Sequence, residues 1–140
     1  MDNSFSKLIK QLHSRHLPDN VADKVIKMGR TAYDYLLVKI DDPNLTDYQV
    51  LNLLRILYQM KYHDIEQFIN KLCFLSQDTR INVRSTASFL IICLFRLKKE
   101  FKELYIPLDS ETIIKLLHNS LAMDLHQTVR EQVESFIESI

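Results

Sequence analysis

The chain has one glycine, Gly29, in 140 residues. Antiparallel sheets and Rossmann-type units turn tightly on glycine, at hairpins and at phosphate loops, so a chain this poor in it is steered away from both. The prolines are Pro18, Pro43 and Pro107 alone. So few breakers leave long helices joined by short connections. Four segments place apolar or aromatic residues at helical spacing: Phe5/Leu8/Ile9/Leu12, Tyr33/Leu36/Leu37/Ile40, Ile65/Phe68/Ile69/Leu72 and Ile113/Leu116/Leu117. Each is one face of a helix. The last stripe meets Ser120 and resumes at Leu121.

Second helices lie between these stripes. One is predicted from about Pro18 to Met28, with Pro18 suited to the first helical position and Gly29 to a C-terminal stop. Another opens at Thr46-Asp-Tyr-Gln49, where Thr46 and Gln49 form a capping box, and continues to about Met60. A third starts near Asn82 and extends toward Lys102, and a fourth runs from Thr128 onward, with Asn82 and Thr128 as N-cap types. The chain thus parses as four helix pairs, roughly 3–28, 30–61, 63–103 and 110–140. No shift in composition marks a boundary beyond the linker 104–109, so residues 1–140 read as a single domain.

A short pattern recurs. Asp78-Thr-Arg-Ile-Asn-Val83-Arg84 and Asp124-Leu-His-Gln-Thr-Val129-Arg130 both read Asp, four residues, Val-Arg. Each joins one amphipathic segment to the next, which is how a repeated helical hairpin announces itself. Asn82-Val-Arg-Ser-Thr-Ala87-Ser-Phe-Leu90 resembles the start of the second helix of a HEAT repeat, with an Asp in the turn, then Val-Arg, a small residue and a core Leu. Thr128-Val-Arg-Glu-Gln-Val133-Glu-Ser-Phe136 repeats it with Val133 in the small position. Asn20-Val21-Ala22 is a degraded version, and Tyr48 stands where the second pair would carry its Arg. Armadillo-like and other hairpin stacks are near alternatives. The resemblance implies an all-α solenoid of about four antiparallel pairs. It also implies a structural ladder of hydrogen bonds through Asp78, Arg84, Asp124 and Arg130.

Charge narrows the partners. Net charge is zero, with 18 cations and 18 anions, and this argues against a protein built to grip nucleic acid. A local excess remains in 80–102, where Arg80, Arg84, Arg96, Lys98, Lys99 and Lys102 face only Glu100. Residues 124–140 lean acidic. Cys73 and Cys93 sit in apolar surroundings without metal or disulfide spacing, and they read as buried free thiols. The longest apolar run, Phe89 to Phe95, is too short to span a bilayer, and the polar start lacks a signal-peptide core. The expected setting is cytoplasmic, away from a membrane.

No motif supplies catalysis. A phosphate loop needs more glycine than the chain has, and no nucleophile elbow or His-Glu-x-x-His pair occurs. His13 and His16, with Asp19 nearby, have the spacing of two or three metal ligands, yet they read better as a surface pair complementing a helix end. Neither an enzyme nor a cofactor is expected. A partner protein is, bound through the second helices. The row predicted for it is Gln49, Asn52, Ile56 and Gln59 in the second pair, with Phe89, Ile92 and Arg96 in the third. The competing reading is a nucleic-acid surface on the basic segment 80–102. Some HEAT-like proteins are alkylpurine DNA glycosylases, but this chain lacks Trp and net positive charge. Bilin-lyase relatives also carry such repeats, and no residue here favours that activity.

Overall fold

The structure, a computed structural model, describes residues 3–140. Among them the secondary structure is entirely helical: α1 Asn3–Lys10, α2 Asp19–Lys27, α3 Arg30–Lys39, α4 Asp47–Gln59, a single 3-10 turn Lys61–His63, α5 Ile65–Leu75, α6 Ile81–Glu100, α7 Ser110–Met123 and α8 Gln127–Ser139. The helices form two compact units, Met1–Phe68 and Ile69–Ile140, and the boundary falls inside α5.

Local chemistry explains where helices begin. Thr46 Oγ1 accepts from the Gln49 amide at 3.2 Å while Gln49 Oε1 accepts from the Thr46 amide at 2.8 Å, closing the expected capping box on α4. Asp64 accepts from the Gln67 amide at 3.2 Å and caps α5. Asp109 accepts from the Thr112 amide at 2.8 Å and from the Thr112 hydroxyl at 3.0 Å, and these bonds hold its carboxyl below the usual range. Gly29 joins α2 to α3 at φ 69, a conformation that any side chain would strain. Asn82 and Thr128 are not the caps expected of them. Arg80 and His126 hold the N-cap positions, and both predicted caps lie inside the helices.

In unit 1, α2 packs against α1, α3 and α4, and α3 against α4. Tyr33 of α3 is fully buried and donates its hydroxyl to the Asp64 carbonyl at 2.6 Å. Burial, with the nearby charge of Asp64, pushes this phenol up to about 12. His13 and His16 lie in the connection between α1 and α2, where His13 donates to the Lys10 carbonyl at 2.9 Å.

In unit 2, α6 packs against both α7 and α8, which also pack on each other. The apolar run of α6 is mostly core: Ala87, Leu90, Ile91, Ile92, Leu94 and Phe95 are buried, and Phe89 and Cys93 are half-buried. A buried hydroxyl network crosses this core. Ser120 donates to the Ser76 carbonyl at 2.8 Å, Ser88 lies 3.1 Å from the Ser120 hydroxyl, and Gln77 donates to Ser120 at 3.1 Å. Ser120 is the residue that interrupts the α7 stripe in sequence. Its hydroxyl is satisfied inside the core, as a buried polar group must be.

Candidate functional site

Helix α6 is 20 residues long and buries half of them. From Asn82 to Arg96, before its open last turn, the half-buried and exposed positions are Asn82, Thr86, Phe89, Cys93 and Arg96. They stand four, three, four and three residues apart, so they form one narrow stripe along an otherwise covered helix. Helix α8 runs parallel beside it. Near their N-termini the His126 amide donates to Ser85 Oγ at 3.0 Å, and the His126 ring meets the Asn82 side-chain oxygen. Further along, Phe95 and Phe136 make an edge-to-face contact with centroids 5.4 Å apart.

Equivalent positions on α8 are Thr128, Gln132, Ser135 and Ser139. Two side-by-side rows result, one with Phe89 at its middle and Arg96 at one end, the other small and polar. Gln132 Oε1 is buried there without a hydrogen-bond partner. An unmet acceptor of this kind costs about 1–3 kcal/mol.

Arg84 fixes the base of this face. Its guanidinium is buried and donates to four backbone carbonyls: Asp78 at 2.7 Å, Thr79 at 3.2 Å, Met123 at 3.0 Å and Asp124 at 2.8 Å. These carbonyls belong to the two turns that carry the repeated pattern. The carboxylates are engaged separately. Asp78 pairs with Arg80 at 2.9 Å, and Asp124 with Arg130 at 2.6 Å. Burial alone would raise Asp78, but hydrogen bonds and charge from Arg80, with the charge of Arg84, hold it below its usual value. The Arg130 hydrogen bond does the same for Asp124. Arg84 therefore rungs from turn to turn through main-chain oxygens rather than through Asp side chains.

Of the row expected to bind a partner, Phe89 and Arg96 lie on the stripe, but Ile92 is fully buried one helical step away. In α4, Asn52 and Ile56 are also fully buried. The expected α4 row faces the connection between α1 and α2 instead of solvent. Gln49 donates to the Ile9 carbonyl at 3.3 Å, and Asn52 donates to those of Leu12 at 2.7 Å and Ser14 at 2.9 Å. Arg55 reaches Arg15 O at 3.0 Å. Of that row only Gln59 is exposed. A row of amides on a helix reads as a wet face in sequence. Nothing in residues 11–18 announces that their carbonyls need donors.

The basic segment is largely committed to the fold. Arg80 and Arg84 serve the turns, and Lys98 donates to the Leu108 carbonyl at 2.8 Å. Lys99 sits 5.0 Å over the Phe95 ring. Arg96 and Lys102 are exposed. Burial pushes the Cys73 thiol up, so it is poorly suited to act as a thiolate. Among the described residues no group of three or more His, Cys, Asp or Glu is placed to hold a metal, and no helix is long and apolar enough to cross a membrane. No family model, curated protein or solved structure matches the chain.

Proposed function

We propose that this protein is a small non-catalytic helical-repeat scaffold that recognises a partner protein through the α6–α8 face of its second unit. The observation that carries the reading is the stripe Asn82–Thr86–Phe89–Cys93–Arg96. A helix buried on its other sides presents one amide, one hydroxyl, one aromatic, one thiol and one cation in line. A parallel polar row lies alongside on α8. An aromatic anchor ringed by polar groups is how protein interfaces concentrate affinity. The parallel packing of α6 and α8, and the Arg84 bonds between equivalent turns, are what a HEAT-like stack would provide. With Arg80, Arg84 and Lys98 bonded internally, the basic segment is less suited to phosphate contacts than its sequence suggests.

The test is affinity capture from the source cells with mass spectrometry, run with wild type, Phe89→Asp and the double variant His13→Ala/His16→Ala. A protein held by wild type and by the histidine variant, but lost with Phe89→Asp, is the expected result. Truncating a central anchor commonly costs about 2 kcal/mol or more. Retention by Phe89→Asp together with loss in the histidine variant places the binding surface elsewhere.

A further inference from the structure

We propose that unit 1 holds a binding site for a small monocarboxylate with a short apolar tail, in the cavity between α1, the end of α3 and the start of α4. The cavity has a volume of about 220 Å³. That lies below the usual range for drug-sized ligands and suits about ten non-hydrogen atoms or fewer. Ile9, which is buried, and Leu45, which is half-buried, give it an apolar lining.

Most polar groups around it are already satisfied. Lys39 Nζ stands 2.6 Å from Asp42 Oδ2, and the other Asp42 oxygen accepts from the Asn44 amide at 2.9 Å. The Asp42 hydrogen bond holds Lys39 firmly charged, and Lys39 in turn lowers Asp42. Gln49 is spent on the Thr46 amide and the Ile9 carbonyl. Lys10 is different: it lines the cavity, is exposed, and has no ion pair or hydrogen bond from its ammonium among the described residues. Two lysines and one aspartate leave one cationic charge unspent beside the small apolar patch that Ile9 and Leu45 form in the cavity. A monoanion matches it. A dianion would meet the field of Asp42, and an amine would meet Lys10 and Lys39. This site lies in the other unit from the α6–α8 face and does not depend on that reading.

The experiment titrates the isotope-labelled full chain, at low salt, with hexanoate, hexylamine and inorganic phosphate in turn, following backbone amide shifts. Hexanoate is expected to shift Lys10, Leu45 and Gln49 saturably, with a dissociation constant on the order of millimolar. Lys10→Gln, an exposed change that leaves the helix intact, is expected to weaken it roughly three- to fivefold. Hexylamine and phosphate are expected to leave these amides in place. Absence of a saturable hexanoate shift overturns the proposal. So does an equal response to hexylamine or phosphate, or an unchanged affinity in Lys10→Gln.

Discussion

The two units meet the same structural demand with different chemistry. Each contains a helix connection whose carbonyls would go unpaired, because a connection past a helix end has no ladder of its own to supply donors. Unit 1 meets its more buried carbonyls with a neutral amide, and Arg55 adds one bond to the exposed Arg15 carbonyl. Asn52, fully buried on α4, donates to Leu12 and Ser14, and Arg55 reaches over it at 2.8 Å from its side-chain oxygen. Unit 2 answers with a charge. Buried Arg84 spreads one guanidinium over four carbonyls in two turns. Arg84 reaches the C-terminal end of α7 at the Met123 carbonyl, where a cation also complements the dipole. Only the amide avoids taking a charge out of water. The planar five-donor fork of Arg lets a single residue tie two turns together, which an amide cannot do.

The largest test of this contrast is Arg84→Ala, which strands four carbonyls at once. It should cost about 3 kcal/mol in urea denaturation. Arg84→Lys should recover less than half of the loss, since one ammonium cannot reach both turns. A lysine variant as stable as wild type would show that charge, not fork geometry, is what matters. Asn52→Leu comes next, at about 2 kcal/mol by the same measurement, because the shape is kept and both donors are lost. If that change is neutral, the amide only fills space and the parallel between the units fails.

Tyr33→Phe should be smaller, about 1 kcal/mol, for the single bond to the Asp64 carbonyl. Its ionisation offers a second readout. The folded value of about 12 lies above the ordinary 10, so the contribution is full below pH 10 and fades as pH rises toward 12. Ultraviolet titration should therefore show a late-ionising component that disappears in Tyr33→Phe. The smallest effect is at Arg130, whose partner Asp124 has a side chain 68% exposed. Surface pairs contribute little. Arg130→Ala should therefore barely change stability at pH 7, while a carbon-detected titration sees the Asp124 carboxyl rise toward 3.8. Asp78 is the partly buried carboxyl held low, so its stabilisation is present above pH 3.8 and lost as pH falls through the folded value, and acid unfolding should set in below about pH 4.

Helix placement was legible because it rests on local rules. The apolar stripes, the Thr46–Gln49 box and the scarcity of glycine locate the helices to within a few residues. The Val-Arg repeat treats Arg84 and Arg130 as equals, whereas in the structure Arg84 is buried against four carbonyls and Arg130 pairs with the exposed Asp124. Side-chain destinations were less legible. Asn52 and Ile56 share a helix face with exposed Gln59, and the α1–α2 connection that covers Asn52 lies 40 residues away in sequence. Ile92 differs from Phe89 and Arg96 only by rotation about α6, which periodicity alone leaves undetermined when nearly every residue is apolar. The cavity beside Lys10 is assembled from three helices and a loop, and no local pattern encodes it.

The buried hydrogen bonds that join Ser120 to the Ser76 carbonyl and the Ser88 hydroxyl have a consequence for choice rather than strength. Apolar side chains tolerate a helix that slips or rotates slightly, because one greasy contact replaces another. Hydroxyl pairs do not. Rotating α7 by one residue would put Asn119 or Leu121 where Ser120 now meets the Ser76 carbonyl and the Ser88 hydroxyl, and the Gln77 amide would lose one of its acceptors. These serines act as an alignment key, making one arrangement of α6 and α7 distinct from its near neighbours at little gain in stability.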